Sequence, residues 1–417
     1  MLKVPSSRFE VIQLMSYYAP AFGFGGPIRL MYEYAKWVVD GGFRVSVLTG
    51  DTNHDFTPIA KKYQCEHGIH IRRVHVYWRR LVKRSINLVS PSMFLRAVWR
   101  VLHTEKCVIV HVCEVRGLVV LYGVALKKLF PKKVILVHSA FGMLHFKQSR
   151  RRQLYDRLFL RPLLCGMDLG LAQNDHEINQ YRDYFAQHKV NENNRIVLFP
   201  LSTETQNSNE GNGDAITGKD REILRKKYSI PDEAFVCIFL GRLHPAKGIL
   251  RAIDAFLAFS AAYFGQTFFL IVGRDDGMQQ KITDYINERN AASSIRIVNN
   301  VYETRFEYYT LSNLFLGFPT IDEETMLASV EALSCGTPVL VSREADIPFV
   351  QEEGAGFVID FSMGTAVDRM QRIAAEMDLF RQHAYKVAEK HFSESSARHH
   401  LITLFNQVLQ KSSVDSI

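Results

Sequence analysis

The chain has 417 residues, 47% hydrophobic and 23% charged, which indicates a globular protein long enough for two domains and excludes a disordered or fibrous chain. No apolar run reaches the ~18–20 residues of a membrane helix, and the first twenty residues contain no continuous apolar segment, so we expect neither a spanning helix nor a signal peptide. Six scattered cysteines without a CxxC pair exclude a disulfide scaffold or a zinc ribbon and favour a reducing cytosol.

The net charge of +8 is divided unequally along the chain. Residues 1–200 contain 30 Lys and Arg against 14 Asp and Glu, or +16, whereas residues 201–417 contain 21 against 29, or −8. The first half is therefore expected to attract an anionic surface or ligand. Charge alone does not distinguish a nucleic acid, an anionic membrane and a phosphorylated small molecule.

Short apolar runs alternate with helical patterns along the chain. A first helix is predicted from Pro27, near its start, to Gly41 and Gly42, which end it. Near-continuous apolar strands separated by amphipathic helices predict parallel sheets that are covered on both faces. The predicted strands are residues 9–15, 44–48, 108–112, 134–137, 169–172, 196–199, 235–240, 268–272, 295–298, 314–318 and 339–341.

A change of composition divides the chain near its midpoint. Residues 202–220 contain one large hydrophobic side chain, Ile216, which is typical of a linker or an exposed loop. We therefore predict two doubly wound α/β domains, residues 1–199 and 200–394. A C-terminal helical segment, residues 395–417, is expected to pack back on the first domain.

Two glycine motifs match known nucleotide-binding patterns only in part. The GxxxxGK match at residues 213–219 has Asp220 in place of the magnesium-binding Ser or Thr and has no preceding strand, so a P-loop is not expected. The glycines at 23–26 would place the third glycine of a dinucleotide fingerprint on Ile28, which argues against a dehydrogenase.

His67, His70 and His75 form a histidine-rich segment. The segment alternates like a strand, and neither a carboxylate nor a cysteine completes a ligand set. Surface histidines on a strand are therefore favoured over a metal site.

Two loops have features typical of anion binding. Gly25 and Gly26 lie between the first strand and the first helix, where backbone N–H groups can approach an anion, although a turn that needs positive φ would use the same pair. Arg242 and Lys247 follow a buried strand that ends at Gly241. Two permanent charges beyond the carboxyl end of a parallel strand indicate an anionic ligand; a solvated loop is the alternative.

Residues 319–340 add two carboxylates around the start of a helix. Glu323 lies at the strand-to-helix turn, and Glu331 follows about two helical turns later in an apolar stretch, where it needs hydroxyl or amide partners. The N–H groups at the helix start can bind a phosphate. Paired carboxylates also occur in glycoside hydrolysis, but their position around this helix start argues against it.

These motifs together resemble a known family. GR-x4-KG at 241–248, Glu-x7-Glu followed by EAxxxGTPV, GxGF at 354–357 and the N-terminal glycine pair follow one another over nearly the whole chain. The chain resembles the retaining glycosyltransferases of family 4. The resemblance implies a GT-B architecture, in which two Rossmann-like doubly wound parallel-sheet domains face each other across a cleft that holds the active site.

The resemblance also implies roles for individual residues. The implied catalytic residues are Arg242, Lys247, Glu323 and His138, and the implied donor-binding residues are Gly25, Gly26, Gly273, Asn300, Val301, Thr325, Met326, Leu327 and Glu331. The two cations would hold the donor diphosphate, Glu323 the sugar and Glu331 the ribose hydroxyls. His138 would lie near the transferred sugar, although a lone histidine is more often a satisfied structural residue.

The implied function is metal-independent, retaining hexosyl transfer from a nucleotide-diphosphate sugar to a glycan or lipid-linked glycan, in cell-surface polysaccharide or lipopolysaccharide assembly. The nucleotide sugar is a co-substrate, and no cofactor is expected. In front-face retention the departing diphosphate accepts the acceptor's proton, so the enzyme supplies placement and charge stabilisation. The sequence contains no DxD motif, which agrees with a metal-free mechanism.

Residues 77–103 and 147–161 interleave aromatic and basic side chains. This composition favours an acceptor-side domain that attaches a cytosolic protein to the inner face of the cytoplasmic membrane, with solvated helix faces as the alternative.

Two other functions stay open. A catalytically silent GT-B subunit that binds a nucleotide or a partner is one, because the donor turn reads Glu323-Glu324-Thr325-Met326 where the family usually has Glu-Gly/Ser-Phe-Gly, which places a second carboxylate and a bulky methionine there. A nucleic-acid-binding protein is the other, although it would leave Glu331 and the GR-x4-KG loop unexplained. We expect no nucleic-acid partner.

Overall fold

The protein consists of two α/β units. A computed structural model describes residues 9–22, 26–77, 88–144, 154, 156–189, 195–203, 218–299, 303–321 and 326–414. One unit comprises Met1–Phe199 together with Arg398–Ile417, and the other comprises Pro200–Ala397. Residues 204–217, which form most of the predicted linker, lie outside the described ranges.

The first unit is organised around a sheet of eight strands. The strands of this unit are β1 (Glu10–Met15), β2 (Arg44–Gly50), β3 (Tyr63–Glu66), β4 (Ile69–Val74), β5 (Val76–Tyr77), β6 (Leu88–Val89), β7 (Val108–Val112), β8 (Val134–Ser139), β9 (Leu169–Ala172) and β10 (Arg195–Leu198). The order across the sheet is β10-β9-β8-β7-β1-β2-β4-β3, and β5 and β6 form a separate pair. Strands β1, β7 and β8 are buried along their whole length, as expected for parallel strands covered on both faces.

One edge strand departs from the parallel sheet that the sequence predicts. Strand β3 pairs antiparallel with β4, and the two residues between them, His67 and Gly68, have φ values of 47° and 75°. Positive φ at both positions is the signature of a two-residue type I′ hairpin turn. His67 therefore forms the turn, while His70 lies on β4. Within the described ranges, no group of three or more His, Cys, Asp and Glu side chains is placed to hold a metal ion.

The helices of the first unit cover both faces of the sheet. They are α1 (Gly26–Asp40), α2 (Ser92–His103), α3 (Leu118–Leu129), α4 (Arg161–Gly166), which follows a π-helix at Asp156–Leu160, and α5 (Asp175–His188). Helix α1 ends directly before Gly41 and Gly42, as predicted. Its buried face includes Ile28, Met31 and Tyr34, which recur at helical spacing.

The second unit contains a sheet of six parallel strands. They are β11 (Phe235–Leu240), β12 (Thr267–Val272), β13 (Ile295–Val298), β14 (Leu314–Gly317), β15 (Val339–Ser342) and β16 (Gly356–Ile359). Their order is β13-β12-β11-β14-β15-β16, so successive strands run first to one side of β11 and then to the other. This reversal is the doubly wound topology that the sequence predicts.

Helices also cover the second sheet, and the last one continues into the first unit. They are α6 (Gly218–Lys227), α7 (Ile249–Ala262), α8 (Gln279–Glu288), α9 (Arg305–Leu311), α10 (Leu327–Ser334), α11 (Met363–Ala375), α12 (Met377–Val387) and α13 (Glu394–Val414), with 3-10 turns at Pro245–Lys247 and Arg343–Ala345 and a π-helix at Ala388–Phe392. In α13, the ring of Phe405 lies 6.4 Å from that of Phe43 and 6.0 Å from that of His111, between ring centroids. None of the helices in the described part of the chain has both the length and the apolar character needed to cross a membrane.

Candidate functional site

The second unit brings two loops together where its strand order reverses. Doubly wound folds bind ligands in the crevice at the carboxyl ends of the strands at such a reversal, which here lies between β11 and β14. The loop after β11 contains Arg242 and Lys247. The N–H of Thr320, after β14, donates to the carbonyl of Ala246 at 2.8 Å, which ties the two loops together. The structure thus places both predicted diphosphate ligands at the reversal.

Two glycines allow the backbones of these loops to touch. At Gly248, where φ is 64°, a Cβ atom would lie 1.7 Å from the carbonyl oxygen of Phe318. At Gly273, a Cβ atom would lie 1.7 Å from the carbonyl oxygen of Gly241. Any larger residue would push apart the loops that follow β11, β12 and β14. The predicted site residue Gly273 therefore shapes the crevice through its backbone.

Arg242 is held by an acidic partner that the sequence analysis did not identify. Its Nη1 atom lies 2.7 Å from Oδ2 of Asp276, and its side chain is 57% exposed. The neighbouring Asp275 accepts hydrogen bonds from the N–H groups of Gln279, Met278 and Gly277, which lower the pKa of its carboxyl. These bonds fix the loop that carries Asp276 to the start of α8. The sequence feature that could have indicated this partner is the acidic pair that closely follows the buried strand β12.

Helix α10 begins beside this crevice, and no side chain among the described residues caps its first N–H groups. The side chain of its N-cap residue, Met326, has no oxygen to accept from them, and the Met326 carbonyl accepts from the Ser329 N–H, at 3.0 Å. The Met326 side chain is 6% exposed, and its sulfur lies 3.2 Å from the position that a Cβ at Gly317 would take. Met326 and Leu327 thus contribute backbone at the helix start while the methionine side chain packs over β14. Glu323 and Thr325, like Asn300 and Val301, lie outside the described residues.

Glu331 forms a buried ion pair within the second unit. Its Oε1 atom accepts from Nε of Arg305 at 2.9 Å, and its Oε2 atom accepts from the Tyr309 hydroxyl at 3.2 Å. The sequence predicted hydroxyl or amide partners; the structure supplies one hydroxyl and a guanidinium. The side chains of the pair are 10% and 6% exposed, so removal of either partner would leave a buried charge uncompensated. Sequence reasoning did not identify Arg305, and no motif marked it.

The first unit has its own reversal of strand order, between β1 and β7. Ser16 follows β1 and Glu114 follows β7, and both the backbone N–H and the hydroxyl of Ser16 donate to the Glu114 carboxylate, the hydroxyl at 2.8 Å. Burial raises the pKa of Glu114, although the Ser16 bonds favour its charged form. The sequence analysis did not identify this pair, for which the signal was a carboxylate directly after a buried strand.

His138 lies at the end of β8 with both ring nitrogens bonded to protein atoms. Its Nε2 atom is 3.2 Å from the Glu114 carbonyl oxygen, and its Nδ1 atom is 2.8 Å from the Tyr181 hydroxyl. Because a carbonyl can only accept, Nε2 carries the proton and the tyrosine hydroxyl donates to Nδ1. Burial lowers the pKa of His138 from its usual 6.5 to about 4. The ring is therefore neutral at pH 7 and held in one orientation.

A second buried histidine lies beside it. His111, on β7, has Nε2 2.8 Å from the Ser139 hydroxyl, and its ring stacks on Tyr34 with centroids 6.4 Å apart. Burial, with a smaller contribution from the charge of His138, lowers the pKa of His111 to about 3. Both imidazoles thus stay uncharged in the folded protein at neutral pH.

Gly26 is the first residue of α1, and a Cβ atom added there would meet no atom of the described residues within 4 Å. Within the described part of the chain, the start of this helix is therefore not crowded, and an anion-binding helix start needs such room. The preceding Gly25 lies outside the described residues. Of the predicted site residues, Gly26 and His138 belong to the first unit, and Arg242, Lys247, Gly273, Met326, Leu327 and Glu331 belong to the second.

The loops at the second reversal belong to a segment that matches a known family. Residues 220–390 match the family model described as Glycosyl transferases group 1. This segment, which is less than half of the chain, is similar to the group 1 glycosyltransferases. It includes every predicted second-unit site residue, from Arg242 in the loop after β11 to Glu331 on α10.

The curated relatives of the chain are distant. The D-inositol 3-phosphate glycosyltransferase of Geodermatophilus obscurus is 25% identical over 237 residues, which are 54% of this chain and 50% of the relative. The lipopolysaccharide 1,2-N-acetylglucosaminetransferase of Salmonella typhimurium is 21% identical over 270 residues, which are 62% of this chain and 66% of the relative. The chain spans about half the length of the first of these relatives.

Solved structures agree with the fold of the whole chain. Anabaena HepE in complex with UDP has a TM-score of 0.70 and 14% identity, and the match covers 96% of this chain and 100% of that one. Sucrose-phosphate synthase from Thermosynechococcus elongatus has a TM-score of 0.68 and 15% identity, with 97% and 100% covered. The chain thus has the GT-B fold of two parallel-sheet α/β domains, as predicted.

The buried state of His138 predicts a loss of stability in acid. At pH 5 the unfolded chain, with a histidine pKa near 6.5, binds a proton that the folded state, with a pKa of about 4, does not bind. The free energy of unfolding should therefore fall between pH 7 and pH 5 by about 2 kcal/mol on account of this residue. His138→Gln, which can keep both hydrogen bonds, should show a correspondingly smaller fall in urea denaturation.

The exposed His54 offers the matched control, because His54→Gln changes the same side chain at the surface. It should retain the wild-type pH dependence. An equal fall for wild type and His138→Gln would contradict the assignment of a neutral His138.

Proposed function

We propose that the chain is a retaining glycosyltransferase of family 4 type that moves a sugar from a nucleotide-diphosphate sugar to a glycan or lipid-linked glycan without a divalent cation. The proposed process is the assembly of a cell-surface polysaccharide or lipopolysaccharide. Among the relatives is a lipopolysaccharide N-acetylglucosaminetransferase, and HepE was solved with UDP and with UDP-glucose. These names support a nucleotide sugar as donor and a glycan as acceptor.

The observation that carries the proposal is the position of Arg242 and Lys247 at the strand reversal, beside the start of α10, whose first N–H groups are capped by no described side chain. A diphosphate leaving group gains negative charge as the glycosidic bond breaks. Two cations and the N–H groups of α10 can stabilise that charge at fixed positions, the task that a metal ion performs in other transferases. Asp276 keeps the Arg242 guanidinium at the crevice before a donor arrives.

Glu331 is assigned to the ribose hydroxyls. A carboxylate offers about four lone-pair positions, and Arg305 and Tyr309 use two of them. The guanidinium holds the carboxylate in one orientation. In this proposal Arg305 is a positioning residue for the donor nucleotide.

His138 is assigned a role near the transferred sugar. It would act by holding its neighbouring groups in one orientation. Its two nitrogens already bond the Glu114 carbonyl and the Tyr181 hydroxyl. A neutral, immobile ring adjoining the carbonyl of Glu114 suits a placement role better than proton transfer, which the departing diphosphate performs in front-face retention.

Removal of either clamp cation should reduce turnover while the fold survives. Arg242→Ala and Lys247→Ala should each cost about 1.5–3 kcal/mol of transition-state binding, or roughly a 10- to 150-fold loss of kcat/KM. The measurement is transfer or hydrolysis across a panel of nucleotide sugars. The Arg242 side chain is 57% exposed, so its removal should leave the melting temperature nearly unchanged.

Arg372→Ala is the matched control for this experiment. Arg372 is an exposed arginine of the same unit, 3.7 Å from Glu376 near the end of α11. Its loss should leave kcat/KM at the wild-type value. Normal turnover by both clamp variants would refute the assignment, and a wild type that binds UDP without hydrolysing or transferring any sugar would favour a silent subunit.

Turnover should persist in excess EDTA, because side chains and a helix start are assigned the charge that a cation would otherwise neutralise. The measurement is the initial rate before and after chelation and dialysis. Loss of activity that Mg²⁺ or Mn²⁺ restores would contradict a metal-free mechanism.

The proposal also includes reversible attachment of the first unit to an anionic membrane. Its basis is the +16 balance of residues 1–200 and the exposure of Leu95, Trp99 and Leu102, at 66%, 57% and 59%, on helix α2. Apolar and aromatic side chains beside cations favour a membrane interface. The most basic predicted segment, residues 79–84, lies outside the described ranges.

Sedimentation with liposomes checks this attachment. Arg79, Arg80, Lys83 and Arg84 changed together to Gln should weaken binding to anionic vesicles, since each cation near such a surface contributes about 1 kcal/mol. Binding should also fall with salt, because the Debye length shrinks from ~10 Å at 0.1 M to ~3 Å at 1 M.

The control changes four exposed cations of the second unit to Gln, namely Lys281, Arg343, Arg372 and Lys386. Equal binding to neutral vesicles, or equal weakening by both variants, would contradict a membrane-binding role for residues 79–84.

A further inference from the structure

A cavity of about 480 Å³ opens along one face of the first sheet, beside α2. Ten described residues line it, and they come from β2, β3, β4 and α2. The predicted site residues of this unit lie elsewhere, at the end of β8 and the start of α1. The volume is within the range of sites for small ligands.

The sheet presents polar side chains to this cavity because of its register. Ser46 and Leu48 alternate along β2 with Val45 and Val47, which point to the opposite face and are fully buried. On the neighbouring strand, His70 pairs with Ser46 and Arg72 pairs with Leu48. The same register therefore directs His70 and Arg72 toward the cavity. At this edge of the sheet, one face therefore presents basic side chains, whereas the opposite face packs into the hydrophobic core.

The cavity is strongly cationic. Arg72, Arg96 and Arg100 line it, and its described lining contains neither Asp nor Glu. Arg100 lies 3.3 Å from the buried carboxylate of Glu10, which neutralises it in part. Arg96 is exposed and has no ion-pair partner among the described residues. Three arginines that line one cavity, with a single carboxylate beside one of them, form a lining that a phosphate ester can neutralise.

Aromatic rings complete the lining. Trp99 of α2 is 57% exposed and Tyr63 of β3 is 50% exposed. The Arg72 guanidinium carbon lies 5.5 Å from the centroid of the Tyr63 ring, and the Tyr63 hydroxyl is 2.9 Å from Nδ1 of His70. Flat rings beside cations bind a hydroxylated ring through its C–H face while the cations hold its phosphate.

We propose that this cavity, the α2 pocket, binds a phosphate ester carried on a hydroxylated ring, at a site separate from the donor site. Arg72 and Arg96 hold the phosphate, and Trp99 stacks on the ring. Two sources carry this chemistry, a soluble sugar phosphate and the headgroup of an inositol phospholipid. The pocket does not depend on the proposed transfer reaction, since all of its described lining belongs to the first unit.

Calorimetric titration tests the pocket with two probes, glucose 6-phosphate and monomeric dihexanoyl phosphatidylinositol below its micelle concentration. Arg72→Gln with Arg96→Gln should weaken binding by about tenfold or more. Arg44→Gln is the matched control, because Arg44 is an exposed arginine of β2 outside the pocket. It should bind as the wild type does. Both arginines of the test variant are exposed, and circular dichroism melting checks that the fold is kept.

Tryptophan fluorescence gives a second readout. The chain has three tryptophans, and Trp37 is buried on α1. Binding should change the emission of wild type, and Trp99→Phe should lose that change while calorimetry still detects the ligand.

Binding of glucose 6-phosphate that needs Arg72 and Arg96 supports the pocket with a soluble source. Binding confined to the phosphatidylinositol monomer, with the same dependence, supports it with a lipid source. Binding of neither probe, or equal affinity in wild type and the double variant, would overturn the proposal.

Discussion

Close contact between backbone segments holds the second unit's site together. The loops after β11, β12 and β14 approach so closely that a side chain at Gly248 or Gly273 would overlap a carbonyl oxygen of the neighbouring loop. This contact places Arg242 and Lys247 at the reversal of strand order, beside the start of α10. Because main-chain contacts brace these loops, the backbone that carries the two cations is held in place without a ligand. Preorganisation of this kind is what stabilises developing charge efficiently.

The two units stabilise their buried polar groups in different ways. In the first, His111 and His138 stay neutral, since burial lowers the pKa of both imidazoles below the physiological range. In the second, the buried Glu331 carboxylate is paired with Arg305 at 2.9 Å. A neutral ring can be immobilised without a counter-ion, whereas a buried carboxylate needs one.

The positive charge of the first unit is concentrated in more than one place. Part of it lines the α2 pocket, where Arg72 and Arg96 face a cavity without acidic lining residues among those described. Apolar side chains such as Leu95 and Leu102 are exposed on the same helix. A headgroup pocket and an interfacial helix would act on the same surface, so the two proposals are mechanically compatible while their tests use different variants.

Periodicity and composition were enough to predict the two α/β units, the eleven apolar strands and the loop with Arg242 and Lys247. Buried parallel strands need continuous apolar runs, and the residues that end each run are its neighbours in the sequence, so both features can be recognised without the tertiary structure. The edge strand β3 was missed, since it is exposed and its direction depends on the His67–Gly68 turn. Partners distant in sequence were also missed: Arg305 for Glu331, Ser16 for Glu114, Tyr181 for His138. The apolar sequence around Glu331 indicates that its carboxylate needs a polar partner. Which residue supplies that partner is decided when α9 and α10 pack together, because only tertiary structure brings such side chains within hydrogen-bonding distance.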